Sequence, residues 1–397
     1  GDRLRVTAQL VRASDGFHIW SNSYDRQLDD VFDVQQDIAE HIASALEVTL
    51  DDRARRVMRS AGIRDVDAFI AYQKGLRAID DAHEYSGTAM YEPFSVANEF
   101  LDLALEAAPN LTAARLLKLD LNTHVIWQLA SGMREEYYAG EILEHLTAIR
   151  QELDTARRLS SPGNQRDILE VERTFWSDDW SHLPGQIRVA LQPGGCVQMG
   201  WSAQLVAPFG WADKLVDKFH DMLECDPMDE NSYLSLSKAL LWAGDADAAL
   251  QSVYEAESRG LTSVDFDATK YKALLAAGRL KDASLVEGAR ERVSLQAAAG
   301  NLVLARQMAK AYWATAEFDS YSLQAAAAVG DRDKANQLAA RIDSHPGGFL
   351  PLLSTVEYCF CGAPFDLDAT PNLKARIEEA DFPWPPPTPI DFPAKYW

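Results

Sequence analysis

Near the start of the chain Leu4, Val6, Ala8 and Leu10 alternate with Arg3, Arg5, Thr7 and Gln9. An apolar residue at every second position marks a strand with one buried and one wet face. Ser14-Asp15-Gly16 reads as a turn and Phe17 to Tyr24 as a returning strand, so the pattern predicts a hairpin. A lone hairpin is marginal in water. More sheet is therefore expected ahead of residue 1, with the chain opening inside a domain as a fragment or processed product. Because exposed strand edges seek partners, residues 1–50 are also expected to pair with another chain or to fold back on the helical repeats.

From about residue 66 the spacing changes from strand to helix, and one helix succeeds another. Gly210, Gly244 and Gly278 punctuate this region at intervals of 34 residues, and Trp176, another 34 upstream, takes the same place in Trp176-Ser177-Asp178-Asp179-Trp180. Ala249 and Ala283 lie five residues after two of these turns, where helices must approach closely, and Leu215 takes that place after Gly210. Phe219 and Val253, then Met222 and Ala256, continue the register, and Pro227 closes one unit. An earlier unit has Ala97, Leu101, Ala104 and Pro109 after a first helix with Tyr72, Gly75 and Ile79. Gly330-Asp331-Arg332-Asp333 repeats the turn chemistry of Gly244-Asp245-Ala246-Asp247. Glycine accepts the left-handed conformation that ends one helix, and the aspartate caps free N–H groups of the next.

The period and the small residues after each turn resemble tetratricopeptide repeats, specifically over 200–290 and reasonably over 68–122. Between 123 and 199 the pattern degenerates, and Pro162-Gly163 and Pro193-Gly194-Gly195 interrupt its phase. The resemblance implies about seven helical hairpins stacked into a superhelix, since no hairpin alone can bury its apolar face. The expected fold class is mainly α, a helical-hairpin superhelix preceded by a remnant α/β hairpin and helix.

A second resemblance rests on Gly1 to Leu10, Asp15-Gly16, His18-Ile19-Trp20-Ser21, Tyr24-Asp25-Arg26, Phe32, Gln35 and Asp37-Ile38-Ala39. Their order is similar to the end of a TolB-like domain, in the version that bacterial signalling proteins place ahead of tetratricopeptide repeats. It implies an upstream output module, either a winged-helix DNA-binding domain or a class III nucleotide cyclase, commonly beyond a membrane span. Neither module is expected within this chain. The implied organisation is the TolB-like remnant over 1–50, a linker helix over 51–66, and first repeats over 67–122. Degenerate repeats over 123–199, further repeats over 200–345 and a capping segment with a proline and aromatic tail over 346–397 complete it.

A hydrophobic content of 47% against 25% charged residues describes a chain able to bury a core. The formal charge of −22 argues against a nucleic-acid surface and disfavours anionic membranes. No apolar run reaches the roughly 20 residues that a membrane helix needs, and no signal-peptide pattern opens the chain. Of the four cysteines, Cys359 and Cys361 could offer two metal ligands, yet no second pair matches them; Cys196 and Cys225 read with them as small buried thiols.

Phosphate loops, dinucleotide fingerprints, zinc-protease helices and nucleophile elbows are absent. Asp-x-Asp pairs at 65/67, 245/247, 265/267, 331/333 and 366/368 lack the continuation of a calcium loop and read as helix caps. Catalytic residues, cofactors and metals are therefore not expected. Trp201, Trp242 and Trp313 form the candidate ligand groove, on first helices that would line a concave face, with gap filling between hairpins as the competing role. Gly210, Gly244, Gly278 and Gly330 are the candidate repeat turns. Residues 382–397 are too rich in proline for helix and are expected to cap the last repeat through Phe382, Trp384, Phe392, Tyr396 and Trp397.

The resulting expectation is a non-enzymatic sensor and interaction region that binds a peptide, protein or small ligand and regulates an upstream module. The alternatives are the regulatory tail of an adenylate or guanylate cyclase and a free-standing assembly scaffold. No nucleic acid and no membrane span are expected through this chain, whereas the N-terminal strands offer a route to oligomers. The periplasmic side is favoured over the cytoplasmic for this soluble portion of a membrane-anchored protein.

Overall fold

The computed structural model of the chain describes residues 3–11, 18–27, 34, 35, 38, 66–83, 85, 87–109, 111–132, 139–160, 162–194, 202, 205–261, 264–286, 288, 292–315, 320–360 and 362–387. The fold is mainly helical, with a small two-stranded antiparallel sheet near the N-terminus. The chain divides into two compact units, residues 1–118 and 119–397.

In the first unit, β1 (Arg3–Val11) pairs with β2 (His18–Gln27), Val6 opposite Tyr24 and Thr7 opposite Ser23, with an irregularity between Leu10 and Val11. Leu4, Val6 and Ala8 are half-buried and Arg3, Arg5, Thr7 and Gln9 exposed, as period-two alternation requires. Asp25 accepts from Arg3 and Arg5 across the ladder, but such exposed ion pairs contribute little. The turn at 14–16 and the linker over 51–65 lie outside the described residues. Helices α1 (Val66–His83) and α2 (Tyr91–Ala107) form an antiparallel hairpin. It is close because Gly75 faces Leu101: a Cβ there would sit 2.8 Å from the leucine side chain. Short α3 (Thr112–Leu117) comes next.

The second unit runs through α4 (Leu119–Ala130), α5 (Ala139–Leu159), α6 (Asn164–Phe175) and α7 (Leu183–Ala190). Then come α8 (Ala212–Cys225), α9 (Glu230–Trp242), α10 (Ala246–Ser258), α11 (Val264–Ala276) and α12 (Leu280–Ala283). Helices α13 (Val293–Ala298), α14 (Leu302–Thr315), α15 (Ser320–Val329) and α16 (Arg332–Asp343) continue the array, and α17 (Phe349–Cys359) and α18 (Pro371–Glu379) end it. Successive helices pack on one another from α8 to α12 and from α13 to α17.

The glycine turns have a common geometry. Gly210, Gly244, Gly278 and Gly330 carry φ of +90, +88, +69 and +73°. After Gly244 the Asp245 N–H returns to the Leu240 carbonyl at 2.9 Å, and after Gly330 the Asp331 N–H returns to Ala326 at 3.0 Å. Both close the six-to-one loop that satisfies the last carbonyls of a helix. Asp245 and Asp331 then accept from the N–H groups of Ala248 and Lys334, capping the next helix. The period breaks after Gly278. The next such turn is Gly300-Asn301, 22 residues on, because α12 has only four residues.

The C-terminal helices return to the middle of the array. Phe349, at the start of α17, meets Phe175, Trp176 and Trp180 with ring centroids 5.4, 5.9 and 5.9 Å away. The backbone N–H of Trp180 donates to Glu379 at 2.8 Å, and Phe382 stacks on Phe209 at 4.8 Å. Phe382 is thus an anchor, but toward the centre of the array rather than its last repeat. Trp384 packs on Phe365, and Phe392, Tyr396 and Trp397 lie outside the described residues. Among the described residues no helix is long and apolar enough to cross a membrane.

Candidate functional site

Four elements of the second unit bring a set of charged side chains together. Helix α9 carries Lys238 and, one turn later on the same face, Trp242. Helix α11 carries Asp265, Tyr271 and Lys272, the start of α13 brings Arg292 and Ser294, and α17 brings Glu357 and Tyr358. Helix α17 reaches this interior because it is apolar on nearly every face. Leu350, Leu352, Leu353 and Val356 are almost wholly buried, which is how a core helix differs from a surface one. Its hydroxyls spend their bonds locally, Ser354 on Leu350 and Thr355 on Pro351. The Trp242 indole N–H donates to the Glu357 carbonyl at 3.2 Å. The helix ends on Phe360 in the left-handed region, φ +50°, held against the Trp242 ring.

The Tyr358 phenol sits between two lysines. Lys238 donates to its oxygen at 3.2 Å, and Lys272 stands over its ring at 3.7 Å. Arg292 stacks over Tyr271 at 4.2 Å, whose hydroxyl bonds Ser294 at 2.8 Å. Glu357 is 1% exposed, and neither of its carboxylate oxygens has a hydrogen-bond partner among the described residues. Lys272 makes no hydrogen bond and no ion pair among the described residues. A buried acid and a half-buried amine therefore share one field without touching. An unpartnered buried carboxylate is costly in a fold unless something else compensates it.

Burial, with Lys238 as the next cause, pushes the Lys272 amine down to about 7. Burial also works against the Lys238 ammonium, yet Tyr358 and Glu357 outweigh it and hold Lys238 above the ordinary lysine range. Lys238 favours the Tyr358 phenolate, but burial and Glu357 win and raise the phenol. Burial raises Tyr271 to about 12.

The groups facing Lys272 are Lys238 from α9, Asp265 on its own helix, Arg292 ahead of α13, and Glu357 and Tyr358 from α17. Between pH 7 and 10 an unfolded chain holds a lysine proton that the folded site has released, so stability rises with pH. Above about pH 10 the sign reverses, because the unfolded tyrosines ionise first. The thermal midpoint is expected to climb from pH 8 to about 10 and then fall, and Lys272→Met should remove the climb. Starting at pH 8 keeps clear of His124: burial opposes its charged form, but bonds to Asp120 raise it overall, giving the opposite slope near neutrality. A midpoint flat across this window in the unaltered protein would contradict the depressed lysine.

The tryptophans singled out in the sequence have other surroundings. Trp242 is buried against α17, and the Trp313 indole N–H donates to Ser322 at 3.3 Å beneath Lys334. They share no partner among the described residues, and Trp201 lies outside those residues. Four of the site's residues (Lys238, Lys272, Glu357 and Tyr358) were missed by sequence reasoning. Their signal was present: each is a charged or phenolic residue next to apolar residues of its helix, in LSLSKALLW, KYKALLA and PLLSTVEYC.

The cysteines also differ from expectation. Cys225 and Cys359 are disulfide-bonded, and there is no free thiol among the described residues. Cys359 is therefore neither a small buried thiol nor a thiolate for a metal. Iodoacetamide under denaturing, non-reducing conditions should leave both unmodified, and both should alkylate after reduction, as read by peptide mass spectrometry. Modification of either before reduction would refute its disulfide.

No protein-family profile matches the chain, those of tetratricopeptide and TolB-like domains included. A stretch of 113 residues is 30% identical to a protein of Rhizobium meliloti (strain 1021) described as putative adenylate cyclase 3. It covers 28% of this chain but 18% of the relative, so the chain spans less than a fifth of the relative it matches. In sequence, then, the chain is similar in part to a bacterial protein described as a putative adenylate cyclase.

Proposed function

We propose that this chain is the non-enzymatic sensing and interaction region of a bacterial signalling protein, acting on an output module elsewhere in that protein. The observation that carries the reading is the unsatisfied mixed-charge site inside the second unit. A site assembled from α9, α11, α13 and α17 ties an occupant to four helices at once, so binding there favours the arrangement of those helices that holds it best, which is how a ligand shifts populations. The tetratricopeptide and TolB-like patterns of the sequence add the architecture of such a region. The partial likeness to a putative adenylate cyclase favours a cyclase over a DNA-binding module as the output. The disulfides at Cys225 and Cys359 favour an oxidising compartment, hence the periplasmic side.

The test is an in-frame deletion of residues 119–397 from the natural gene, with cyclic AMP and the transcript profile measured in the host. A change in cyclic AMP supports the cyclase-linked reading, and a change in transcripts alone supports a transcription regulator. Neither output moving would leave a free-standing scaffold and refute the proposal.

A further inference from the structure

We infer that Lys272, Arg292 and Glu357 line a binding site for a small zwitterion of the α-amino-acid class, its carboxylate toward the two cations and its ammonium toward Glu357. The site's biological meaning rests on the sensing reading, while the binding itself can be tested without it. Carboxylate partners are plentiful in this chain, which has 60 acidic and 38 basic side chains. Exposed arginines find them, as Arg332 does with Asp366 at 2.7 Å and Arg259 with Glu255 at 2.7 Å. Lys272 and Arg292 instead rest on aromatic faces, at 3.7 Å and 4.2 Å, with no carboxylate in contact among the described residues. Their N–H groups remain available for a ligand oxygen.

The buried acceptor opposite them is equally unusual. Glu357 exposes 1% of its surface and neither oxygen is bonded, whereas two other buried charges of this unit, Lys218 and Asp343, are satisfied. Buried Lys218 bonds Asn164 and the Gly194 carbonyl, both at 2.8 Å. Buried Asp343 receives the N–H groups of Asn372 and Leu373, both at 2.8 Å. The open valences at 357 set it apart from both.

Charge then selects the ligand. A simple anion would satisfy the cations but meet Glu357. A simple cation would satisfy Glu357 but meet Lys238, Lys272 and Arg292. A molecule with both charges would answer both the cations and Glu357, and Tyr358, which already lies under Lys272, offers an aromatic face beside them. Unpaired polar groups facing a ligand are what lets a site reject analogues that lack the matching group.

The experiment is calorimetric titration of the whole chain at pH 7 with each of the twenty L-amino acids separately, with acetate and ethylammonium as single-charge probes. At least one amino acid should bind, both single-charge probes should bind more weakly by tenfold or more, and Glu357→Gln and Lys272→Met should each weaken the amino acid by about tenfold or more. Thermal melts accompany both variants. Glu357→Gln removes an unpaired buried charge, so it should fold with an unchanged or higher midpoint, and lost binding cannot then be blamed on unfolding. Absence of binding by all twenty, binding indifferent to both substitutions, or acetate as strong as the amino acid would each overturn the inference. A stabilised Glu357→Gln with no ligand for the unaltered chain would show a water-bridged structural cluster, and also overturn it. None of these outcomes touches the host deletion experiment, so the two readings fail separately.

Discussion

Removal of residues 346–397 is expected to abolish cooperative unfolding of the second unit, not merely to trim its end. In a linear helical array each repeat touches only its neighbours, and losing the last one costs about one interface. Here the last helices touch the middle. Trp180 and Glu379 are bonded across 199 residues of sequence, and Trp242 and Glu357 across 115. Arg376 reaches Asp178 at 2.9 Å and lies over the Phe349 ring at 4.6 Å. Truncation would uncover Phe175, Trp176, Trp180 and Phe209, all now buried. It would also remove Phe349, Leu350, Leu352, Leu353 and Val356, each worth roughly 1.5–3 kcal/mol of burial. That sum is comparable to the roughly 5–15 kcal/mol that holds a whole domain. The shortened protein should melt without a sharp transition and bind a hydrophobic dye while keeping helical circular dichroism. A sharp melt within a few degrees of the full chain would show α17 and α18 to be an appendage.

This return of the chain is also what the sequence concealed. Local pattern revealed the alternation of Leu4, Val6 and Ala8, the left-handed glycines and the Asp245 and Asp331 caps, because each depends on residues a few positions apart. The close approach of α1 and α2 was legible through Gly75 for the same reason. The partner of Phe349 is 174 residues upstream at Phe175, and no periodicity encodes that pairing. The run FLPLLSTVEYC did announce a helix with no wet face, which in a repeat array means something wraps it. A glutamate inside such a run asks for a partner. Of the two roles open to Trp242, groove or gap filling, the structure shows the second, since α17 of the same chain packs on its ring.

Gly348→Ala is expected to destabilise the second unit by about 3 kcal/mol or more, the range in which overpacking is severe. Gly348 has φ −60°, so the cause is not backbone conformation. A Cβ there would stand 2.0 Å from the Ile342 carbonyl oxygen and 2.9 Å from its carbon. Both are backbone atoms at the end of α16, where neighbouring Asp343 caps α18, and neither can swing aside as a side-chain tip would. Helix α17 cannot retreat instead, since Phe349 is clasped by Trp176 and Trp180 and the adjoining Gly347 lies against Ile126. Gly210→Ala isolates the other penalty. Its φ is +90°, and a Cβ added there would meet nothing within 4 Å, so only left-handed strain of about 1–2 kcal/mol applies. Urea denaturation of both variants, extrapolated with a common slope, should rank Gly348→Ala as the costlier. Equal costs would mean that α17 slides freely along α16, and an interior helix that slides could not hold Glu357 in place opposite Lys272.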